Sequence, residues 1–299
     1  MRGSFTRLFI LAAAVIFTAG LGCEHDASAP AEADPRDTLP GSWVTWSPFD
    51  WDHDGYPVSG EFCKLYSDRV MRDKRPELLQ FADNTFRKIM QEFQFLQTGH
   101  LQFPPGYNRI HINLSLDNEP GIAYAYWGSV LITVRSIDPD TTRLAYLMKH
   151  ELTHVFEFLI EGRAELGTDV WFREGIAVYC GSNGGWDHIS TVDDLHTWIL
   201  KNENYGNGGN PISIHASQDY PEGSDITGYY TVFNAVMKYV LDEQGMGKSY
   251  ADIRELFYDV RTGLAFEDVF ELHFGVNLQV FEEEIFERLE AWLEETDLL

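Results

Sequence analysis

Residues 142–160, TRLAYLMKHELTHVFEFLI, repeat apolar side chains at helical spacing over about five turns. A stripe of that length must be buried against other elements, so it demands a sizeable core. Two histidines and a glutamate interrupt it: His150, Glu151 and His154. Tyr146, Leu147, Leu152, Val155, Phe156, Phe158 and Leu159 surround them, so these polar groups fall in a stretch bound for the interior. Buried imidazoles need partners for their ring nitrogens, and a metal ion supplies them.

Histidines at i and i+4 lie about 40° apart around a helix, so both rings reach one ion. Zinc in a hydrolytic site takes three protein ligands from imidazole and carboxylate, with one position open for water. Glu151, adjacent to His150, points elsewhere and suits a general base for that water. A third ligand from a second helix is available in WFREGIAVY, where Glu174 stands beside Gly175 and Ala177, small enough for close helix packing.

The rest of the chain orders itself around this helix. EFCKLYS (61–67) and NRIHINLSL (108–116) read as strands, with an amphipathic helix at 77–96 between them. GIAYAYWGSVLITV (121–134) reads as a turn followed by a further strand. A second helix starts near 169, residues 202–225 form a Gly- and Asn-rich loop, and the final third is helical. Mixed strands and helices first, helices alone after, make the α+β class. One domain over 61–299 fits, with sheet and metal helices at 61–181 and a helical part at 182–299.

The chain's 299 residues carry 47 Asp plus Glu against 22 Lys plus Arg, a net charge of −25. That balance repels phosphates and argues against a nucleic-acid partner. Arg2 and Arg7 precede LFILAAAVIFTAGLG and then Cys23, the order of a bacterial-type secretory signal over 1–22. Residues 23–60, rich in Ala, Pro and Asp at first, read as a tether and an irregular segment. Cys63 and Cys180 then remain, either as a pair or as buried thiols.

H-E-L-T-H followed by W-F-R-E-G-I-A resembles the gluzincin metallopeptidases, in particular the bacterial peptidase MA-like families, whose second motif reads W-x-x-E-G-x-A. The resemblance covers residues 61 to 295 and is strongest at 142–181. It implies a zincin-like fold, one Zn²⁺ held by His150, His154 and Glu174, Glu151 as the general base, and a peptide or protein substrate. Residues 121–134 resemble the edge strand over the cleft, which implies that 128–134 pair with an extended substrate. YYTVFNAVMKYVLDEQG resembles a later helix whose tyrosine helps hold the oxyanion, with Tyr230 the better match and Tyr229 next. Glu157 and Ile160 stand where the metzincin pattern needs Gly and His, which excludes that class. Nineteen residues separate His154 from Glu174, one more than in the aminopeptidase branch, and that branch's G-x-M-E-N signature is missing. Cys23 after Leu21-Gly22 resembles the lipobox of bacterial lipoproteins and implies a membrane anchor outside the cytoplasm.

Other groups are weaker candidates. Glu157, Glu161 and Glu165 are solvated or orient a ligand histidine. His215 either stabilises a transition state or is a loop residue, while His111 and His196 are structural. The rival to an enzyme is a catalytically inactive zinc-binding lipoprotein acting as a surface binding module, against which an intact Glu151 argues.

Overall fold

The computed structural model describes residues 57–95, 98–116, 123–134, 142–182, 188–200 and 226–296. Residues 1–22, Cys23, most of the tether, His215 and the loop 202–225 lie outside the described residues. The chain is α+β, as its pattern predicts.

The described strands are β1 (Val58–Ser59), β2 (Cys63–Ser67), β3 (Ile110–Leu116), β4 (Ala123–Tyr126) and β5 (Ser129–Val134). They form one mixed sheet in the order β1-β2-β3-β5-β4. β2, β3 and β5 run parallel, while β1 and β4 run antiparallel to their neighbours. Residues 121–134, read as one turn and one strand, hold a hairpin. Trp127 and Gly128 make its turn, with Gly128 at φ +77°, and a Cβ there would meet Pro104 Cδ at 2.8 Å. Among the described strands, β4 and β1 are therefore the edges of the sheet. The segment 128–134, expected at the edge, lies between β3 and β4 and has both sides occupied. The alternation AYAY is too short to reveal a strand beside the stronger SVLITV signal.

The helices are α1 (Arg75–Glu92), α2 (Thr142–Glu161), α3 (Val170–Ser182), the short α4 (Val192–Leu195), α5 (Ile226–Leu241), α6 (Tyr250–Arg261), α7 (Phe266–Phe274) and α8 (Leu278–Thr296). Pro76 opens α1, where a missing N–H costs nothing. Ser249 and Asp252 close a capping box on α6, and Gly275 ends α7 in the left-handed conformation. Asp83 of α1 is buried because it accepts the backbone N–H groups of Glu61, Phe62 and Cys63 at 2.7, 3.1 and 2.9 Å. That cluster ties the first helix to the start of β2.

α2 lies at the centre. It packs against α1, α3 and α6, and across the sheet onto β4 and β5. Leu152, Val155, Phe156, Leu159 and Ile160 are fully buried, and the Phe156 ring sits among Phe86, Phe93 and Phe95. Burial of each such side chain contributes about 1.5–3 kcal/mol, so this helix is held rigidly. α3 lies between α2 and α5. It is anchored below by Trp171 and Phe172, which pack on Phe270 and, respectively, Phe281 and Phe274. No described helix is long and apolar enough to cross a membrane. Cys63 and Cys180 are both buried and unpaired.

Candidate metal centre and active site

His150 and His154 fall on consecutive turns of α2, and Glu174 on the second turn of α3. Packing of α2 on α3 brings the three together. The two Nε2 atoms are 3.3 Å apart, and each lies 3.4 Å from Glu174 Oε2. These atoms form a nearly equilateral triangle. A tetrahedral zinc with N and O ligands at about 2.0–2.2 Å has ligand atoms about 3.3–3.5 Å apart, so the triangle has the edge such an ion needs. Glu174 Oε2 has no hydrogen-bond partner among the described residues. A buried carboxylate oxygen left in that state is costly, and a cation in the triangle removes the cost. The donor set of two imidazoles and one carboxylate suits zinc.

The outer ring nitrogens are also placed. With each Nε2 turned to the triangle, Nδ1 is the ring nitrogen left to donate to a neighbour. His150 Nδ1 faces the Tyr146 hydroxyl at 3.4 Å, and His154 Nδ1 faces Glu157 Oε2 at 4.0 Å. Gly181 of α3 lets the helices close over this arrangement: a Cβ there would meet the Tyr146 ring at 3.1 Å and His150 Cβ at 3.3 Å.

The charges follow the same geometry. Burial alone would lower the His154 pKa, but Glu174 and Glu157 outweigh it and push it up to about 10 in the metal-free protein. Burial likewise pushes Glu174 up, yet the two imidazoles hold it well below the usual carboxylate range. Glu151, 5% exposed, is pushed up by burial and by Glu174 and drawn back by His150 and His154. A carboxyl raised in this way is a stronger base than an exposed glutamate, which suits it to take a proton near neutral pH.

Of the two tyrosines, Tyr230 on α5 packs against His150 in a tilted arrangement with ring centroids 5.5 Å apart. Tyr229 is fully buried and packs on Phe233. Glu157 and Glu161 are both buried, so neither is a solvated charge, whereas Glu165 is exposed. His111 is buried between the rings of Tyr66 and Tyr107, and His196 pairs with Glu290 at 3.0 Å, both structural placements.

Two further tyrosines border the site and were not singled out by motif. Tyr146 precedes His150 by four residues, a spacing that shares one helix face. Tyr126 on β4 is pushed up by burial and by Tyr124, and the nearby carboxyl of Glu151 adds to the shift. The edge strand thus runs beside the candidate base. Within the strand, the AYAY alternation places Tyr124 and Tyr126 on one face.

No family model matches the chain, and no curated protein does. Among solved structures it is similar to an aminopeptidase N family protein from Idiomarina loihiensis, at 10% identity and TM-score 0.46, over 77% of this chain and 46% of that one. An M1 zinc metallopeptidase from Deinococcus radiodurans aligns at 12% identity and TM-score 0.43, over 80% and 50% of the two chains. Leukotriene A4 hydrolase from Saccharomyces cerevisiae aligns at 14% and 0.43, over 81% and 39%. The chain spans about half the length of these neighbours, or less.

Proposed function

We propose that the protein is a zinc-dependent peptidase that cleaves peptide or protein substrates outside the cytoplasm. The observation that carries this reading is the triangle of His150 Nε2, His154 Nε2 and Glu174 Oε2, with edges of 3.3, 3.4 and 3.4 Å, beside a buried glutamate that is not needed to close it. His150, His154 and Glu174 hold the ion. Bound zinc supplies a Lewis acid and brings the pKa of water down to about 7. Glu151 takes the proton from the attacking water and returns it to the leaving amine. Tyr230 offers its hydroxyl to the oxygen that gains charge as the scissile carbonyl becomes tetrahedral. The side of β4 on which no described strand pairs binds the substrate backbone as an added strand.

The test compares wild type with Glu151→Gln for zinc content and for hydrolysis of a peptide library, with and without a chelator. Both proteins are expected to hold one zinc, and the variant to lose about 10²–10⁴ in kcat. Equal activity in the two, or an absence of zinc from wild type, overturns the reading. Export and lipid attachment rest on the order of Arg2, Arg7, the apolar run and Cys23. Mass spectrometry of the N-terminal peptide from the membrane fraction tests them: diacylated Cys23 is expected, and a chain that keeps Met1 contradicts both.

A further inference from the structure

Glu157 lies one turn beyond His154 on α2, and its side chain is 0% exposed. Its two oxygens do different things. Oε1 accepts the hydroxyl of Thr168, in the connection between α2 and α3. Oε2 has no hydrogen-bond partner among the described residues and stands 4.0 Å from His154 Nδ1, which is itself buried without one. Two unsatisfied polar atoms, one a potential donor and one an acceptor, therefore face each other across a gap about 1 Å longer than a hydrogen bond. Glu161, one turn further, has its own cation and donor, with Arg163 Nε at 2.7 Å and the Gly167 N–H at 2.9 Å. Glu157 has no Arg or Lys beside it in the described structure, and the group its free oxygen faces is the His154 ring. A fully buried carboxylate in that position is expensive unless positive charge stands close by.

We propose that Glu157 is the positioning residue of the metal centre, a carboxylate that fixes the Nδ1–H tautomer of His154 and turns its Nε2 to the ion. The inference rests on the metal-site reading above. A cation held by His150, His154 and Glu174 carries one net positive charge, and Glu157 sits directly behind one of its ligands to balance it. His150 is buttressed differently, by the neutral hydroxyl of Tyr146. The two histidines are thus unequal, and the ligand with the carboxylate behind it is the more strongly donating. Thr168 extends the arrangement: its carbonyl accepts Arg173 Nη1 at 3.1 Å, so Glu157 is linked through Thr168 to the residue that precedes Glu174. One buried side chain thereby sets the orientation of a ligand on α2 and braces the start of α3.

The experiment measures zinc affinity by chelator competition, and the melting temperature of the metal-free protein, for wild type, Glu157→Gln, Glu157→Asp and Glu161→Gln. Glu157→Gln, nearly the same size as Glu, is expected to weaken zinc about 10–100-fold while the metal-free protein still unfolds in one cooperative transition. Glu157→Asp, which keeps the charge, is expected to recover part of the loss. Glu161→Gln, equally buried but facing Arg163 and Gly167, is expected to bind zinc as wild type does. Zinc affinity within twofold of wild type in Glu157→Gln overturns the proposal. So does an equal loss in Glu161→Gln, which would show a general effect of helix packing. Wild type that binds no zinc at all fails the metal-site reading itself, a distinct result.

Discussion

The aromatic ring of Tyr230 lies 5.5 Å from that of His150, at an interplanar angle of 33°. α5 therefore presents a phenol to the metal face of α2, one residue after a tyrosine that is sealed in the core. Removing one preorganised donor from an oxyanion site costs about 10²–10³ in kcat. Tyr230→Phe is expected to show that loss with KM and zinc content little changed, because the ring and its packing on His150 remain. Tyr229→Phe is expected to leave kcat unchanged. Steady-state kinetics on a fluorogenic peptide separates the two, and a Tyr229→Phe variant with the larger kcat loss reverses the assignment.

Gly175 follows the third ligand on α3, and a Cβ there would stand 3.0 Å from the carbonyl oxygen of Phe233 and 3.0 Å from Met237 Cγ. The Met237 side chain can yield, but the Phe233 backbone in α5 cannot. Gly175→Ala is therefore expected to push α3 away from α5, at a cost of about 1–3 kcal/mol, and to displace Glu174 with it. Thermal unfolding and zinc titration check this: a stable variant with wild-type zinc affinity contradicts it.

Gly175 and Glu174 also show how much was legible beforehand. The meeting of His150, His154 and Glu174, and the two helices that carry them, follow from periodicity and from two short motifs, because a helix fixes which side chains share a face. The same rule makes Tyr146 readable in hindsight. Glu157 was harder: an acid on an α2 turn looks solvated until the sheet, α1 and α3 cover it, which is a fact of tertiary packing. The hairpin was missed for a similar reason, since four residues of AYAY carry too little pattern to mark a strand. Which strand forms the edge depends on sheet order, and local sequence does not encode that order.

Glu161 gives a pH dependence. Burial pushes its carboxyl up to about 7, and the neighbouring charge of Glu157 adds to the rise, against the opposing pull of Gly167 and Arg163. Its folded pKa exceeds its unfolded value of 4.5. The group's contribution to stability is thus complete below about pH 4.5 and is lost as pH rises through about 7. Glu161→Gln abolishes this titration. The variant is expected to gain stability relative to wild type between pH 4.5 and 8, by on the order of 1–3 kcal/mol at the upper end. Denaturant midpoints at pH 4.5, 6 and 8 measure the difference, and a constant offset across that range contradicts the shift.

β4 pairs with β5 through Tyr124↔Leu131 and Tyr126↔Ser129, and no described strand pairs with its other side. Tyr126 is close enough to Glu151 for that carboxyl to raise its pKa. A peptide added along β4 therefore runs its backbone past the base and lays a side chain against the Tyr126 ring. This contact exists in the bound substrate and in the transition state alike, so it contributes uniform binding. Tyr126→Ala is expected to raise KM about tenfold, equivalent to about 1.4 kcal/mol, with kcat within about twofold. Tyr126→Phe is expected to match wild type, because the ring and not the hydroxyl makes the contact. Substrates N-methylated at alternate residues provide the complementary measurement. Strand addition predicts that kcat/KM falls at every second position only, whereas a uniform fall at all positions excludes it.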